Sequence, residues 1–293
     1  MKASPTIRLK LACWVTVFAL AAISTVTWAL NEPRVGVCEA GLLGPEYLQT
    51  LKENIFIVSR DFAAYRAAFG SGFLQVVDHM KSQDSWVDFG SGEARAQLDV
   101  LKARAQGGPA ERARQDKNRL FALALNFPDS VPAEYLALRK LFEREGRFEF
   151  LGGRLLEEIP DSEIELFDIG TDYFGPLTYT LDLSSVLNKY LRRMRAPKQS
   201  HFFTVFSEST DFATMIYTLD GKRLPLSQWL QNCTCLEISP LSSQGAGKIS
   251  AFEMQKRTAV CQVPDLELVE FRKNVRGLIV WRAFREKPAT AGR

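Results

Sequence analysis

Two short stretches of this 293-residue chain combine residue types and spacings that can do chemistry. The first is Asp88-Phe89-Gly90-Ser91-Gly92, a carboxylate followed by a pair of glycines. It ends the apolar run Ser85–Phe89 and opens residues 93–105, rich in Ala, Leu, Arg and Gln, so it reads as strand, tight turn and helix start. Glycines there let the backbone approach a ligand closely, and free helix N–H groups can bind its polar end. The second stretch, residues 167–177, holds Asp168, Asp172, Tyr173, Phe174 and Gly175. A carboxylate such as Asp172 can take a proton from a bound reactant. Asp172 reads equally as a turn cap, and Tyr173 and Phe174 as core aromatics.

Other chemistries are limited by what the chain lacks. Its two histidines, His79 and His201, are far apart in sequence, which excludes a multi-histidine zinc site and leaves a Ser-His-Asp triad only one of the two. His201 opens a strand candidate and reads as structural. Of five cysteines, Cys13 falls in an apolar run, leaving Cys38, Cys233, Cys235 and Cys261. Cys-Thr-Cys is not the spacing of a redox site or zinc knuckle, so these read as ordinary buried thiols, with disulfides the alternative in oxidising surroundings. The net charge of +3 resides in Lys2, Arg8 and Lys10, and the chain beyond residue 30 is neutral. Phosphate binding by bulk electrostatics has no support, and no nucleic-acid partner is expected. The Asp88–Gly90 triplet has no His-Arg-Asp loop before it, which excludes a kinase.

The elements that must hold these stretches follow from periodicity. Residues 45–81 carry apolar positions at helical spacing and predict two or three short helices. Strands are predicted at 85–89, 120–127, 148–151, 164–171 and 201–206, and helices at 93–105, 132–145 and 181–194. Arg192, Arg193, Arg195 and Lys198 read as a solvated helix end. Alternation of this kind predicts an α/β fold with a Rossmann-like, doubly wound, mostly parallel sheet. Strand-like runs at 236–239, 251–263 and 277–284 lack helices between all of them and predict an antiparallel C-terminal edge.

Residues 11–30 contain no charge and follow three basic residues. Twenty helical residues span about 30 Å, enough for a bilayer core. A secretory signal peptide cleaved after Ala29 and an uncleaved anchor both fit, and either predicts an N-in, C-out orientation. The expected organisation is signal or anchor at 1–30, linker at 31–44 and one α/β domain at 45–293.

Taken together, Asp88-Phe89-Gly90-Ser91-Gly92, the strand and acidic turn at Phe167-Asp168-Ile169-Gly170-Thr171-Asp172-Tyr173-Phe174-Gly175-Pro176-Leu177, the helix after it and the strand at 201–206 resemble the class I S-adenosylmethionine-dependent methyltransferases over roughly residues 60–285. The resemblance implies that Gly90, Ser91 and Gly92 hold the amino-acid end of S-adenosylmethionine, that Asp88 helps fix it, and that Asp172 and Tyr173 border methyl transfer. At the second strand the family has an acid that grips the ribose. This chain offers Asn126, with Asp129 three residues on. Replacing a charge-assisted hydrogen bond by a neutral one costs about 1 kcal/mol. The turn Thr171-Asp172-Tyr173-Phe174 is also not the Asn/Asp-Pro-Pro-aromatic turn of base aminomethylases.

Two functions remain: a methyltransferase acting on a small-molecule, lipid or protein acceptor, and a catalytically inactive binding module of the same fold, exported or membrane-tethered. The leader implies export, whereas S-adenosylmethionine is made in the cytoplasm. A nicotinamide oxidoreductase ranks last, because Arg95 stands where Gly-x-Gly-x-x-Gly needs glycine.

Overall fold

The computed structural model describes residues 34–37 (backbone), 47, 60–107, 118–124, 131–209, 212–241, 249–274 and 277–288. In chain order the elements are β1 (Arg34–Val37), α1 (Phe62–Asp78), β2 (Ser85–Phe89), α2 (Arg95–Gln106), β3 (Arg119–Ala124), α3 (Ala133–Arg144) and β4 (Phe148–Gly152). There follow β5 (Ile169–Tyr173), α4 (Pro176–Tyr179), α5 (Leu183–Arg193), β6 (His201–Ser207), β7 (Thr214–Tyr217) and β8 (Arg223–Pro225). The chain continues with α6 (Leu226–Gln231), β9 (Leu236–Pro240), β10 (Ile249–Lys256), β11 (Leu266–Lys273) and β12 (Ile279–Glu286).

The larger sheet has the order β4-β3-β2-β5-β6-β10-β9. Its first five strands are parallel, and β10 pairs antiparallel with both β6 and β9. This is the expected Rossmann-like, doubly wound sheet with an antiparallel edge. The order reverses between β2 and β5, and that switch point is where such sheets place ligands, outside the carboxyl ends of the strands. Every residue of β2 is buried, as a central parallel strand covered on both faces requires. One face packs Trp86 and Ile169 against Tyr65, Phe69 and Phe73 of α1, Leu98 and Leu101 of α2, and Phe142 of α3. The other packs Val87 and Phe89 against Leu187 and Tyr190 of α5.

A second sheet, β1-β11-β12-β7-β8, has no counterpart in the expected organisation. Its Phe284 and Ile216 enter the same core as Val87 and Phe89, so the two sheets share one apolar interior. The predicted linker at 31–44 is corrected in part: residues 34–37 form β1, paired antiparallel with β11. The predicted strand at 277–284 belongs to this sheet, where β12 pairs parallel with β7. β5 starts later than predicted, at Ile169, after a 3-10 turn at Asp161–Glu163. At Gly170 a Cβ would lie 2.5 Å from the Phe202 ring and 2.6 Å from that of Phe167, so the strand admits no side chain there. Residues 1–33 lie outside the described residues, and among those described no helix is long and apolar enough to cross a membrane.

The thiol reading is also corrected. Cys235 and Cys261 form a disulfide with Cα atoms 5.3 Å apart, while Cys233 is free. β10 ends at Lys256, before the predicted end of its strand-like run, and the bond ties the segment after it to the residue that precedes β9. Asn188 of α5 holds the same segment, donating to the Val263 carbonyl at 3.3 Å and accepting from its N–H at 2.8 Å.

With the bridged cysteines 26 positions apart in the chain, opening the loop in the unfolded chain is expected to cost about 3 kcal/mol of stability. Urea midpoints measured with and without reductant check this, and Cys233→Ala should leave both midpoints near wild type.

Candidate functional site

The turn after β2 is shaped by its backbone. Gly90 and Gly92 have φ of 86° and 58°, values glycine reaches without a Cβ clash. The N–H groups of Gly90 and Ser91 donate to the Leu123 carbonyl at 2.9 and 2.8 Å, and the Ser91 hydroxyl joins them at 3.0 Å. The turn is thereby fastened to the end of β3. Ala94, the third small position, takes φ 58° and begins α2 without a side-chain cap, leaving first-turn N–H groups for a ligand's polar end.

Across the switch point a second turn follows β5. A Cβ on Gly90 would lie 2.5 Å from the Gly175 Cα, and one on Gly175 would collide with the Phe89 carbonyl and approach the Gly90 Cα to 3.1 Å. The two backbones therefore touch. Phe174, beside Gly175, has φ 55°, a left-handed conformation that costs a bulky residue about 1–3 kcal/mol and tends to occur at functional sites. Its N–H donates to Val205 of β6 at 3.1 Å.

Both carboxylates singled out in the sequence are fully buried beneath these turns. Asp88 lies on the α1 face, where it accepts from the Tyr65 hydroxyl at 2.8 Å and from the Thr171 hydroxyl at 2.7 Å. The Trp86 indole in turn donates to Thr171 at 2.9 Å. Burial pushes the Asp88 carboxyl up to about 7, against the pull of those two hydrogen bonds. Asp172 lies on the opposite, α5 face and accepts from the Gly175 N–H at 2.6 Å, the Leu177 N–H at 3.0 Å and the Tyr190 hydroxyl at 2.7 Å. Burial raises it to about 6, opposed by those bonds and by the positive charge of Arg60.

This geometry changes two expected roles. Asp172 is a turn clamp with both oxygens occupied, not a base open to a reactant. Asp88 is enclosed in the core with its oxygens taken by Tyr65 and Thr171 instead of facing a ligand directly. Tyr173 is half-buried at the carboxyl end of β5, its ring covered by the Arg60 guanidinium at 4.3 Å. Arg60 also donates to the Tyr173 carbonyl at 3.1 Å. Asn126 and Asp129 lie outside the described residues.

Arg60 and Tyr65 were not singled out by the sequence, and Gly175 was named only as part of its stretch, without the backbone contact it makes. Tyr65, Phe69 and Phe73 recur every four residues and Gly175-Pro176 is a turn signal, but Arg60 carries no local mark. The two histidines border a common cleft of about 490 Å³, lined also by Lys81, Asp84 and Asp168. It lies at the amino ends of β5 and β6, the opposite edge from the glycine turn. There His201 Nδ1 is 2.5 Å from Glu253 and its ring stacks on Phe203, in keeping with a structural histidine. Of the basic helix end, Arg192 pairs with Asp161 at 2.6 Å and Arg195 with Asp168 at 3.7 Å.

No family model and no curated protein matches the sequence. Among solved structures, an N-methyltransferase NodS from Bradyrhizobium japonicum is similar over 67% of this chain and 97% of its own, at 10% identity and TM-score 0.36. A precorrin-6y C5,15-methyltransferase from Geobacter metallireducens covers 62% and 85%, at 12% identity and TM-score 0.34. An rRNA methylase from Streptococcus thermophilus covers 62% and 93%, at 9% identity and TM-score 0.38. Such low scores leave the site to be read from its own geometry.

Gly175→Ala is expected to displace one turn from the other and lower the thermal midpoint, whereas Gly72→Ala, in α1 with nothing within 4 Å of its Cβ, should raise it slightly. Equal effects would contradict the backbone contact. The buried acids give a second expectation. Their folded pKa values exceed those of the unfolded chain, so the stability they contribute is full below about pH 4 and is lost as pH rises toward 7. Asp88→Asn should flatten that decline, as read from denaturant midpoints between pH 4.5 and 8.

Proposed function

We propose that this chain is an S-adenosylmethionine-dependent methyltransferase acting on a small-molecule, lipid or protein acceptor. The observation that carries this reading is the glycine turn after β2, which sits at the switch point of a doubly wound sheet and is closed against Gly175 so tightly that neither backbone admits a Cβ. A ligand's amino-acid end fits beside such a turn through the uncapped first-turn N–H groups of α2, since those of Gly90 and Ser91 are taken by Leu123, and the resemblance in the sequence names the ligand.

The bound cofactor would supply an activated sulfonium methyl, so the protein's task is to hold and orient. Gly90, Ser91 and Gly92 would hold the amino-acid end, with Asp88 buried beneath them on Tyr65 and Thr171. Asn126 and Asp129 are the proposed ribose partners. Tyr173, backed by Arg60, would border the acceptor, and Asp172 would hold the turn that carries it. With Asp172 enclosed, a proton lost by the acceptor would leave to solvent or to a group on the acceptor side.

The disulfide favours a second reading, an exported or membrane-tethered module that keeps the fold without the reaction. Such bonds persist in oxidising compartments, which agrees with the basic-apolar leader and supports a domain kept apart from the cytoplasmic source of the cofactor. The neutral body of the chain argues against a nucleic-acid acceptor in either case.

Calorimetric titration of S-adenosylmethionine into the purified full chain separates the two. Micromolar binding that is lost in Gly90→Arg is expected for the methyltransferase. No binding up to about millimolar, roughly −4 kcal/mol, in folded protein would reject it in favour of the module.

A further inference from the structure

We propose that the five-stranded sheet is the element that positions the candidate ligand turn, and that Arg282 of β12 is its positioning residue. Arg282 is 2% exposed, an unusual place for a guanidinium. All its hydrogen-bond partners named here are uncharged. One terminal nitrogen donates to the Thr180 carbonyl, and the other to the Leu177 carbonyl at 2.6 Å and the Thr214 hydroxyl of β7 at 2.8 Å. Leu177 and Thr180 belong to α4 and its end. A helix of four residues leaves most of its carbonyls without partners of its own, and the planar guanidinium fork supplies donors for two of them.

The same segment is gripped elsewhere. Asp172 accepts from Gly175 and Leu177 at its beginning, and Glu157 accepts from the Thr180 hydroxyl at its end. Residues 172–180 are thus pinned at both ends, with Gly175 pressed against Gly90 between them. Asp172 and Glu157 come from the larger sheet and its connections, whereas Arg282 comes from the second. Burial lowers the Arg282 pKa to about 10, so the group remains charged at neutral pH.

An apolar side chain would fill this space, and replacing buried charge by packed apolar groups is often neutral or stabilising. What arginine adds is a fixed position for two backbone carbonyls. Its removal leaves those carbonyls buried and unpaired, and they regain partners only by moving toward water. The turn bearing Gly175 would move with them.

The functional consequence rests on the proposed cofactor site, but the clamp itself can be measured without ligand. In the full chain, Arg282→Met is expected to speed amide exchange at least tenfold at residues 173–180 and 90–93, with residues 119–124 and 148–152 unchanged. It should also weaken S-adenosylmethionine binding at least tenfold, and Arg282→Lys should recover part of both. Uniform loosening, or unchanged exchange at 173–180, would overturn the proposal. So would local loosening with undiminished affinity in a protein whose wild type binds. If the wild type does not bind, the methyltransferase reading fails alone, and exchange still decides the clamp. Should Arg282→Met fail to fold, Arg282→Lys carries the test through the same selective exchange at smaller size.

Discussion

The contact between Gly90 and Gly175 constrains everything around it. Two backbone turns from non-adjacent parts of the chain meet at the one place where a doubly wound sheet opens, with no side chain between them. That approach needs glycine on both sides, since a Cβ on either would intrude on the other's main chain. It also needs each turn held in register. The first is fastened to Leu123 and the second to Asp172, Val205 and Arg282. Left-handed conformations at Ala94 and Phe174 flank the contact, and they persist because the surrounding bonds over-determine them.

Beneath the turns lies a polar layer inside an otherwise apolar core. Asp88 with Tyr65, Thr171 and Trp86 occupies one face of the sheet, and Asp172 with Tyr190 the other. Burying carboxylates is unfavourable, and their raised pKa values express that cost. Each is supplied with donors, so the layer trades some stability for a defined geometry at the switch point. A core of the same size without acids would hold the sheet together, but the second turn would lose the grip of Asp172 on Gly175 and Leu177.

Function is framed by two features that point in different directions. The switch-point turn is the proposed cofactor site, and Asp172 clamps the second turn that presses on it. The disulfide and the basic-apolar leader fit a compartment away from the cytoplasmic cofactor pool. Both can hold if the fold has been kept for binding, or if cofactor reaches the domain. The distinction is chemical and not architectural, since the same turn serves either end.

The doubly wound order was legible in the chain because each parallel strand is a short apolar run followed by a helix with its own period, as at Ser85–Phe89 and Arg95–Gln106. The glycine turn was legible because its conformation is written in residue type. Asp88 and Asp172 were found as residues, but their partners Tyr65 and Tyr190 come from distant helices, so their enclosure could not be read from spacing. The same holds for Cys235 and Cys261, whose pairing depends on β9 and β10 lying side by side. The second sheet was missed because β7 and β8 are short, and β12 has an apolar pattern that suits either sheet. Local periodicity and turn chemistry fixed which segments become strands, helices and turns. Long-range packing alone decided which of them share a face, because side-chain contacts across the sheets join residues whose separation carries no sequence signal.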